Sequence, residues 1–437
     1  MTEYDRVRLL WPDHLGLARG KYLPARLAHH GTNHVVTTFG LGYDRSIRNV
    51  AGGYLNDGLR DVHSTFDPAD LRPSWEDDRT AVAVGHLTLD GASYPVSARH
   101  VLQGAIADWA ALGYAVKVGL ELEAYVLEPD GAGGWKRWAT PRSYVYATGR
   151  AADPVGLIDD ITWTAERCKF RTESINAEFD ESQFEFTLEY DDALRAADEA
   201  FLFRVMARET ALKHGLDLTF MGKPFSELAG NGVHVNLSIV DAEGRNAFAG
   251  THAADGLSAL ATGALAGLCR HHPAMTALCA PTVNAYRRLQ PGALNGYWGN
   301  WGYAHRCAGN RVPEARGSGT RIESRLSDGA VNIHLAVATV LQAARLGIVN
   351  GYDCPPPLTG DGFQDSGTDI HSAASLGAAL DDLRTDRALT DAIGAECVAN
   401  FIDNKQAEWE QYLAAVGTDV PGPDVTQWEL DMYRNFH

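Results

Sequence analysis

Four segments of this 437-residue chain alternate apolar and polar side chains with the period of a β-strand, and their polar faces carry acids, a histidine and arginines. In AVKVGLELEAYVL, Val116, Val118, Leu120, Leu122 and Val126 share one face, while Lys117, Glu121 and Glu123 share the other. In ESQFEFTLEY, Phe184, Phe186 and Leu188 alternate with Gln183, Glu185 and Thr187; Glu178 lies seven residues before Glu185, across an expected turn or bulge at 180–182. In GNGVHVNLSIV, Val233, Val235, Leu237 and Ile239 alternate with His234, Asn236 and Ser238. In TRIESRLSD, Ile322, Ser324 and Leu326 alternate with Arg321, Glu323 and Arg325. Taken singly, each reads as a strand of an antiparallel sheet with one wet face. Taken together they gather five carboxylates and an imidazole, a donor set that can satisfy two divalent cations. Strand residues two apart point the same way, about 6.5–7 Å from one another, so Glu121 and Glu123 can each serve a separate ion. Arginines beside such a set suit phosphate or carboxylate, and the combination suggests phosphoryl transfer.

The rest of the chain bounds this reading. Its length fits two or three domains, and 45% hydrophobic with 22% charged residues is globular composition. Lys and Arg number 38 against 56 Asp and Glu, a net charge of −18, which disfavours nucleic acid or an anionic membrane as partner. The six cysteines contain no CxxC pair and suit free thiols in a reducing compartment. The acidic start MTEYDRVRLLWPD is unlike a signal peptide, and no apolar run reaches about 18 residues, so a cytoplasmic location is expected. GLARGKY (16–22) is one residue short of a phosphate-binding glycine loop and has Tyr22 where Ser or Thr is required; HExxH, GxSxG and a GxGxxG following a strand are absent.

Residues 1–95 read as short strands and turns. Past Ser97 the pattern turns helical (Leu102, Ile106 and Trp109, with Gly113 closing the run), which sets a domain boundary near 95. Further helices are expected over 193–214, 253–270 and within 329–351, and amphipathic helix in the C-terminal tail; GYDCPPPLTGDGFQDSGTD should be a surface loop.

GLELE, E-x6-E enclosing Gln183, NGVHV, PTVNAYRRLQPG, R-x4-R and RIESR, in this order and spacing, resemble the glutamine synthetase family from about Gly119 to the C-terminus, and LARGKYLP extends the likeness more weakly into the β-rich start. The resemblance implies an α+β fold: an N-terminal β-grasp domain (1–95) and a catalytic domain (96–437) whose antiparallel sheet forms a funnel, with ATP at one end, glutamate at the other and metals at the waist. It implies ATP and two to three Mg²⁺ or Mn²⁺ ions. One ion would be held by Glu123, Glu178 and Glu185, the other by Glu121, His234 and Glu323. Arg288 and Arg325 would face glutamate or the transferring phosphoryl group, with Gly230 in the backbone that cradles the substrate. Arg306, Arg311 and Arg321 would hold phosphates, and Ser238 would touch the nucleotide. A dodecamer of two stacked rings is implied, with each site completed by a neighbour's N-terminal domain.

The departures from the family pattern concentrate where the amine should bind. Ammonia-using members carry a Glu in the loop after RLxPG; counted without gaps from Arg288 to Arg306, that place holds Leu294. An apolar side chain can neither stabilise ammonium nor take its proton. Around it lie Tyr297, Trp298, Trp301 and Tyr303, an aromatic lining expected to receive an alkyl or aromatic amine. Asp44 is the one candidate for the family's second ammonium anchor, offset by about one residue. Asn236 replaces the second His of HxH, which meets phosphate, and Ala229 replaces an Asn of the substrate loop. WGYAHR and RRLQPG resemble the γ-glutamylpolyamine synthetase branch. The expected activity is a γ-glutamyl–amine ligase using L-glutamate, ATP and a small organic amine. The alternatives are an ammonia-using glutamine synthetase, a non-catalytic homologue, and a ligase for another acid.

Overall fold

Alternation carries the long strand Ala115–Pro129 through the middle of the molecule, because every second residue from Val116 to Val126 is apolar and buried. The structure, a computed structural model, describes residues 4–250, 255–418 and 422–437. On one side of the long strand lie Gln183–Asp192 and then Thr172–Ala177; on the other lie Val233–Val240, Ile322–Ser324, Asn310–Val312 and Trp301–Tyr303. Trp135–Arg137 and Asp217–Thr219 complete a nine-stranded sheet, antiparallel except between its last two strands.

The apolar face of this sheet packs on helices. Ala98–Ala111, Ala193–Lys213 and Ile333–Val349 start close to where the helical patterning begins. The helix expected over 253–270 runs instead over Ala259–Cys279, capped by the Ser258 hydroxyl and continuing through Pro273; residues 253 and 254 lie outside the described residues. This helix meets Ile333–Val349 backbone to backbone. A Cβ on Gly267 would stand 2.0 Å from the Ala343 carbonyl oxygen, and one on Gly347 would stand 2.1 Å from that of Gly263. The small residues in both helices are what permit so close a crossing.

Residues 6–93 form two four-stranded sheets. In one, Arg6–Pro12 and Thr80–Val84 pair in parallel between antiparallel outer strands Ala18–Pro24 and Arg72–Pro73. The second contains Thr32–Val35, Asp61–Thr65, His86–Leu89 and Ala92–Ser93. The first sheet is tied to the helices by Arg8 on Glu209 (2.6 Å) and by the Asn332 amide on the Asp13 carbonyl (2.8 Å). The C-terminal tail docks as Ala395–Val416 and Gln427–Tyr433, the latter starting in a Thr426–Glu429 capping box. Residues 351–369 form the expected loop. All six cysteines are free. Among the described residues, no helix is long and apolar enough to cross a membrane.

The polar strand face is wet only in part: His234 is 4% and Glu323 2% exposed, while Glu121, Glu123 and Glu185 keep part of their surface in water. Loops around 222–232 and 288–300 close over part of it. Burial raises the cost of leaving these charges unpaired, so their partners define the site.

Candidate functional site

Strand register brings the polar residues into rows. Glu185 stands opposite Glu123, and Asn176 opposite Glu185. One step along, Thr187, Glu121 and His234 align across three strands; beyond them Asn236, Glu323 and Arg311 align across Val233–Val240 and two further strands. The four segments singled out from the sequence thus converge on one patch.

At its centre the His234 ring lies among three carboxylates. Nδ1 is 2.8 Å from Glu121 and 3.7 Å from Glu323, and Nε2 is 3.6 Å from Glu123. Two groups bring one ligand atom from each member within 4.8 Å of the others: Glu121, His234 and Glu323, and Glu123, Glu185 and His234. Glu178 is not in the second group; it enters the turn beside it, with the Asn176 amide 3.3 Å from its carboxylate. The Glu323 carboxylate also pairs with Arg311 at 2.8 Å and with Arg325.

Electrostatics divides the cluster. Burial disfavours charge on Glu121, yet hydrogen bonds from His234 and Asn236 and the Arg325 charge hold its carboxyl at about 2. Glu323 is likewise lowered against burial by His234 and Arg325. On the other side burial and the Glu121 charge push Glu185 up to about 8, and burial with the Glu123 charge raises Glu178. Burial and Arg325 oppose a proton on His234, but Glu121 and Glu123 prevail and raise it. A hard divalent cation fits this donor set, since it would relieve the repulsion around Glu185 and Glu178.

A cavity of about 720 Å³ opens beside the cluster, lined by Lys117, Glu121, Arg171, Asn236, Ser238 and Arg321, a volume in the range of small-ligand and cofactor sites. Asn236 links the two regions: its amide donates to Glu121 at 2.9 Å and its oxygen accepts from Arg321 at 3.1 Å. Lys117 was legible on the polar face of its strand. Arg171 and Tyr190, also on the lining, were missed, and a register shift between Leu188 and Asp191 explains why period-two reading stops there.

On the other flank the loop containing Gly230 lies over the buried Arg288, whose terminal nitrogens donate to the carbonyls of Leu326 (3.1 Å) and Arg325 (3.2 Å). Leu294 is 48% exposed, and its carbonyl lies 3.4 Å from Arg325. Trp298 is half-buried, edge-on to Tyr297 and His371. Trp301 does not join an aromatic lining: it is buried, with its indole N–H on the Pro355 carbonyl at 2.7 Å. Arg306 is exposed in the turn after Trp301–Tyr303, with no ion pair among the described residues. Asp44 is engaged within its own chain, accepting from the Ser46 hydroxyl (2.7 Å) and the Gln411 amide (2.8 Å).

Residues 95–433 match the family profile described as glutamine synthetase, catalytic domain. The chain is 33% identical over 365 residues to a glutamine synthetase of Clostridium saccharobutylicum, covering 79% of this chain and 77% of that one. It is 31% identical over 446 residues to the gamma-glutamylethanolamide synthetase GlnA4 of Streptomyces coelicolor, covering 98% and 92%. Among solved structures it is similar to a GmaS/ADP complex, with a TM-score of 0.84 at 28% identity, covering 98% of this chain and 96% of that one.

Proposed function

The chain belongs to the glutamine synthetase family, and we propose that it is a cytoplasmic ATP-dependent ligase joining the γ-carboxylate of L-glutamate to an organic primary amine. The observation that carries the amine assignment is Leu294: an exposed apolar side chain falls, by an ungapped count from Arg288 to Arg306, where the resemblance gives ammonia-using members a carboxylate. The similarity to a gamma-glutamylethanolamide synthetase over nearly the whole chain supports it.

In this reading a γ-carboxylate oxygen of glutamate attacks the γ-phosphorus of ATP, and ADP leaves with the electrons of the broken P–O bond. The amine nitrogen then attacks the acyl carbon of γ-glutamyl phosphate, phosphate departs with the C–O electron pair, and the nitrogen sheds a proton. Asn236, Ser238 and Arg321, which line the cavity with Lys117 and Arg171, would hold the nucleotide together with Arg311, which pairs with Glu323. Gly230 and Arg288 would bound the acid, and Leu294 and Trp298 the amine. Arg306 and Arg325 would stabilise charge on the moving phosphoryl group. Glu121, His234 and Glu323 would hold one metal and Glu123, Glu178 and Glu185 another, within a complement of two to three Mg²⁺ or Mn²⁺. When bound, these ions would neutralise phosphate charge. A cation on Glu323 would also take over the charge that Arg311 and Arg325 now balance, leaving their guanidinium groups for phosphoryl oxygens.

The parallel central pair of the first N-terminal sheet supports reading residues 1–95 as the β-grasp domain, with 96–437 forming the catalytic funnel. Assembly into two hexameric rings completes the proposal and is tested by sedimentation. The similarity to glutamine synthetases favours ammonia as a second reading. That reading needs a carboxylate in place of Leu294, and Asp44, its one candidate, already accepts from Ser46 and Gln411 of its own chain.

The test is phosphate release with ATP, Mg²⁺ and L-glutamate against a panel of amines that includes ammonium, with product masses recorded. A γ-glutamylamide from an organic amine, with little glutamine, is the expected result. A clear preference for ammonium refutes the assignment, and no release with any amine turns the reading to another acid or to a non-catalytic homologue.

A further inference from the structure

The turn between Thr172–Ala177 and Gln183–Asp192 faces two ways. Glu178 enters it on the side of the carboxylate cluster, and Asp180, two residues later, reaches across to the loop that precedes Val233–Val240. Asp180 Oδ2 accepts the Ala229 N–H at 2.6 Å. The hydroxyl of the fully buried Tyr125 lies 3.2 Å from the same oxygen and 3.1 Å from the Ala229 carbonyl. The Ala229 N–H is therefore held by Asp180, and the one proton of the Tyr125 hydroxyl lies between Asp180 and the Ala229 carbonyl.

The next residues are held as tightly. Gln183 Nε2 donates to the Gly230 carbonyl (3.1 Å) and to Asn231 Oδ1 (3.0 Å). The Asn231 N–H reaches the Gly222 carbonyl at 2.7 Å, and the Gly232 N–H reaches Glu123 at 2.6 Å. Across 229–232 this leaves one backbone donor, the Gly230 N–H, without an acceptor among the described residues. Ala229 is exposed, so water could satisfy its N–H as well as a carboxylate does. What Asp180 adds is a fixed geometry for the Gly230 peptide, set from the same turn that carries Glu178.

We propose that Asp180 is a positioning residue: by clamping the Ala229 peptide it orients the Gly230 loop for the acid substrate and so sets the affinity for that acid. This rests on the reading above, in which Gly230 cradles the acid.

Two substitutions test it. Both bonds end on one oxygen of Asp180, so Asp180→Asn, which keeps a carbonyl oxygen, can retain them, whereas Asp180→Ala removes them. Asp180→Ala should raise KM for L-glutamate about tenfold, the effect of losing both hydrogen bonds, with KM for ATP little changed. Asp180→Asn should stay within about threefold of wild type, as retention of both bonds predicts. Hydrogen exchange over 226–232 reads the clamp without turnover and should quicken in Asp180→Ala alone. An unchanged glutamate KM in Asp180→Ala, a parallel rise in both KM values, or an Asn variant as impaired as the Ala variant would overturn the proposal. Equal exchange in all three proteins would overturn it even if glutamate is the wrong acid. A wild-type protein inactive with glutamate but showing the exchange difference would sink the functional reading and leave the clamp standing.

Discussion

Removing divalent metal from the protein should leave Glu185 carrying a proton at neutral pH. Burial and the neighbouring Glu121 charge push its carboxyl up to about 8. With that value, about 0.9 of the molecules hold the proton at pH 7 and about 0.1 at pH 9. A cation that takes Glu185 as a ligand must displace it, so binding should release about 0.9 proton at pH 7 and about 0.1 at pH 9 from this residue. Apparent affinity should climb roughly tenfold per pH unit below 8 and level off above. Titration calorimetry with Mn²⁺ in two buffers of different protonation enthalpy counts the protons. The difference between wild type and Glu185→Gln isolates this one, because His234, also raised, titrates in both proteins. Stability gives a second reading of the same shift. The folded value lies above the ordinary 4.5, so between these values the folded protein holds a proton that the unfolded chain has lost, and stability falls as pH rises through that window. At pH 7 the metal-free Gln variant should therefore be more stable by up to about 3.5 kcal/mol, from roughly 2.5 pH units at about 1.4 kcal/mol each. The gap should close toward pH 4.5 and be fully open above pH 8. Equal proton release from both proteins at pH 7, or a stability gap independent of pH, would refute the reasoning.

Three further outcomes are expected. Glu121→Ala and Glu323→Ala should each abolish phosphate release and weaken Mn²⁺ binding in calorimetry; wild-type rates in both would remove the metal assignment. Leu294→Glu should raise the ratio of kcat/KM for ammonium over that for the best organic amine, and an unchanged ratio in a folded variant would show that this loop does not select the amine. Arg287 and Glu429, 2.7 Å apart, are both essentially excluded from water and join the segment Ala285–Arg288 to the last helix. Arg287→Met should cost about 3–5 kcal/mol in urea denaturation by leaving Glu429 buried and unpaired, and a change under about 1 kcal/mol would contradict that.

Much of this arrangement was legible because period-two alternation survives folding. Glu121, Glu123, Glu185, His234 and Glu323 lie on the face the sequence assigned them, since antiparallel register carries a strand's facing into the sheet. Arg325 was placed beside Glu323 by the same rule, although the strand there is only Ile322–Ser324. Alternation could not report depth: it marks a face as polar, and loops distant in sequence decide whether water reaches it. For the same reason Trp301 reads as lining but lies in the core. Asp180 sits in a turn and bonds a loop 49 residues away, a contact with no local signature. The register shift after Leu188 hid Tyr190, because the extra residue ends the period.

The division of charge within the cluster bears on how two cations would enter it. Glu121 and Glu323 are already compensated by His234, Asn236, Arg311 and Arg325, so an ion there must compete with protein cations held in formed ion pairs. Glu178 and Glu185 form no ion pair with Arg or Lys among the described residues; burial with the Glu123 charge raises the Glu178 carboxyl, and burial with the Glu121 charge pushes that of Glu185 up to about 8. An ion there competes with the Glu185 proton, whose hold weakens as pH rises, and meets carboxylates that stand outside any Arg or Lys ion pair among the described residues. The two positions should therefore respond to different perturbations. Raising pH from 6 to 8 should strengthen binding chiefly at the Glu178–Glu185 side. Removing a guanidinium, as in Arg311→Gln, should strengthen it chiefly at Glu323, by lifting the competition for that carboxylate. Phosphate oxygens would draw Arg311 and Arg325 away from Glu323 in the same manner, so metal and nucleotide should bind more tightly together than either does alone.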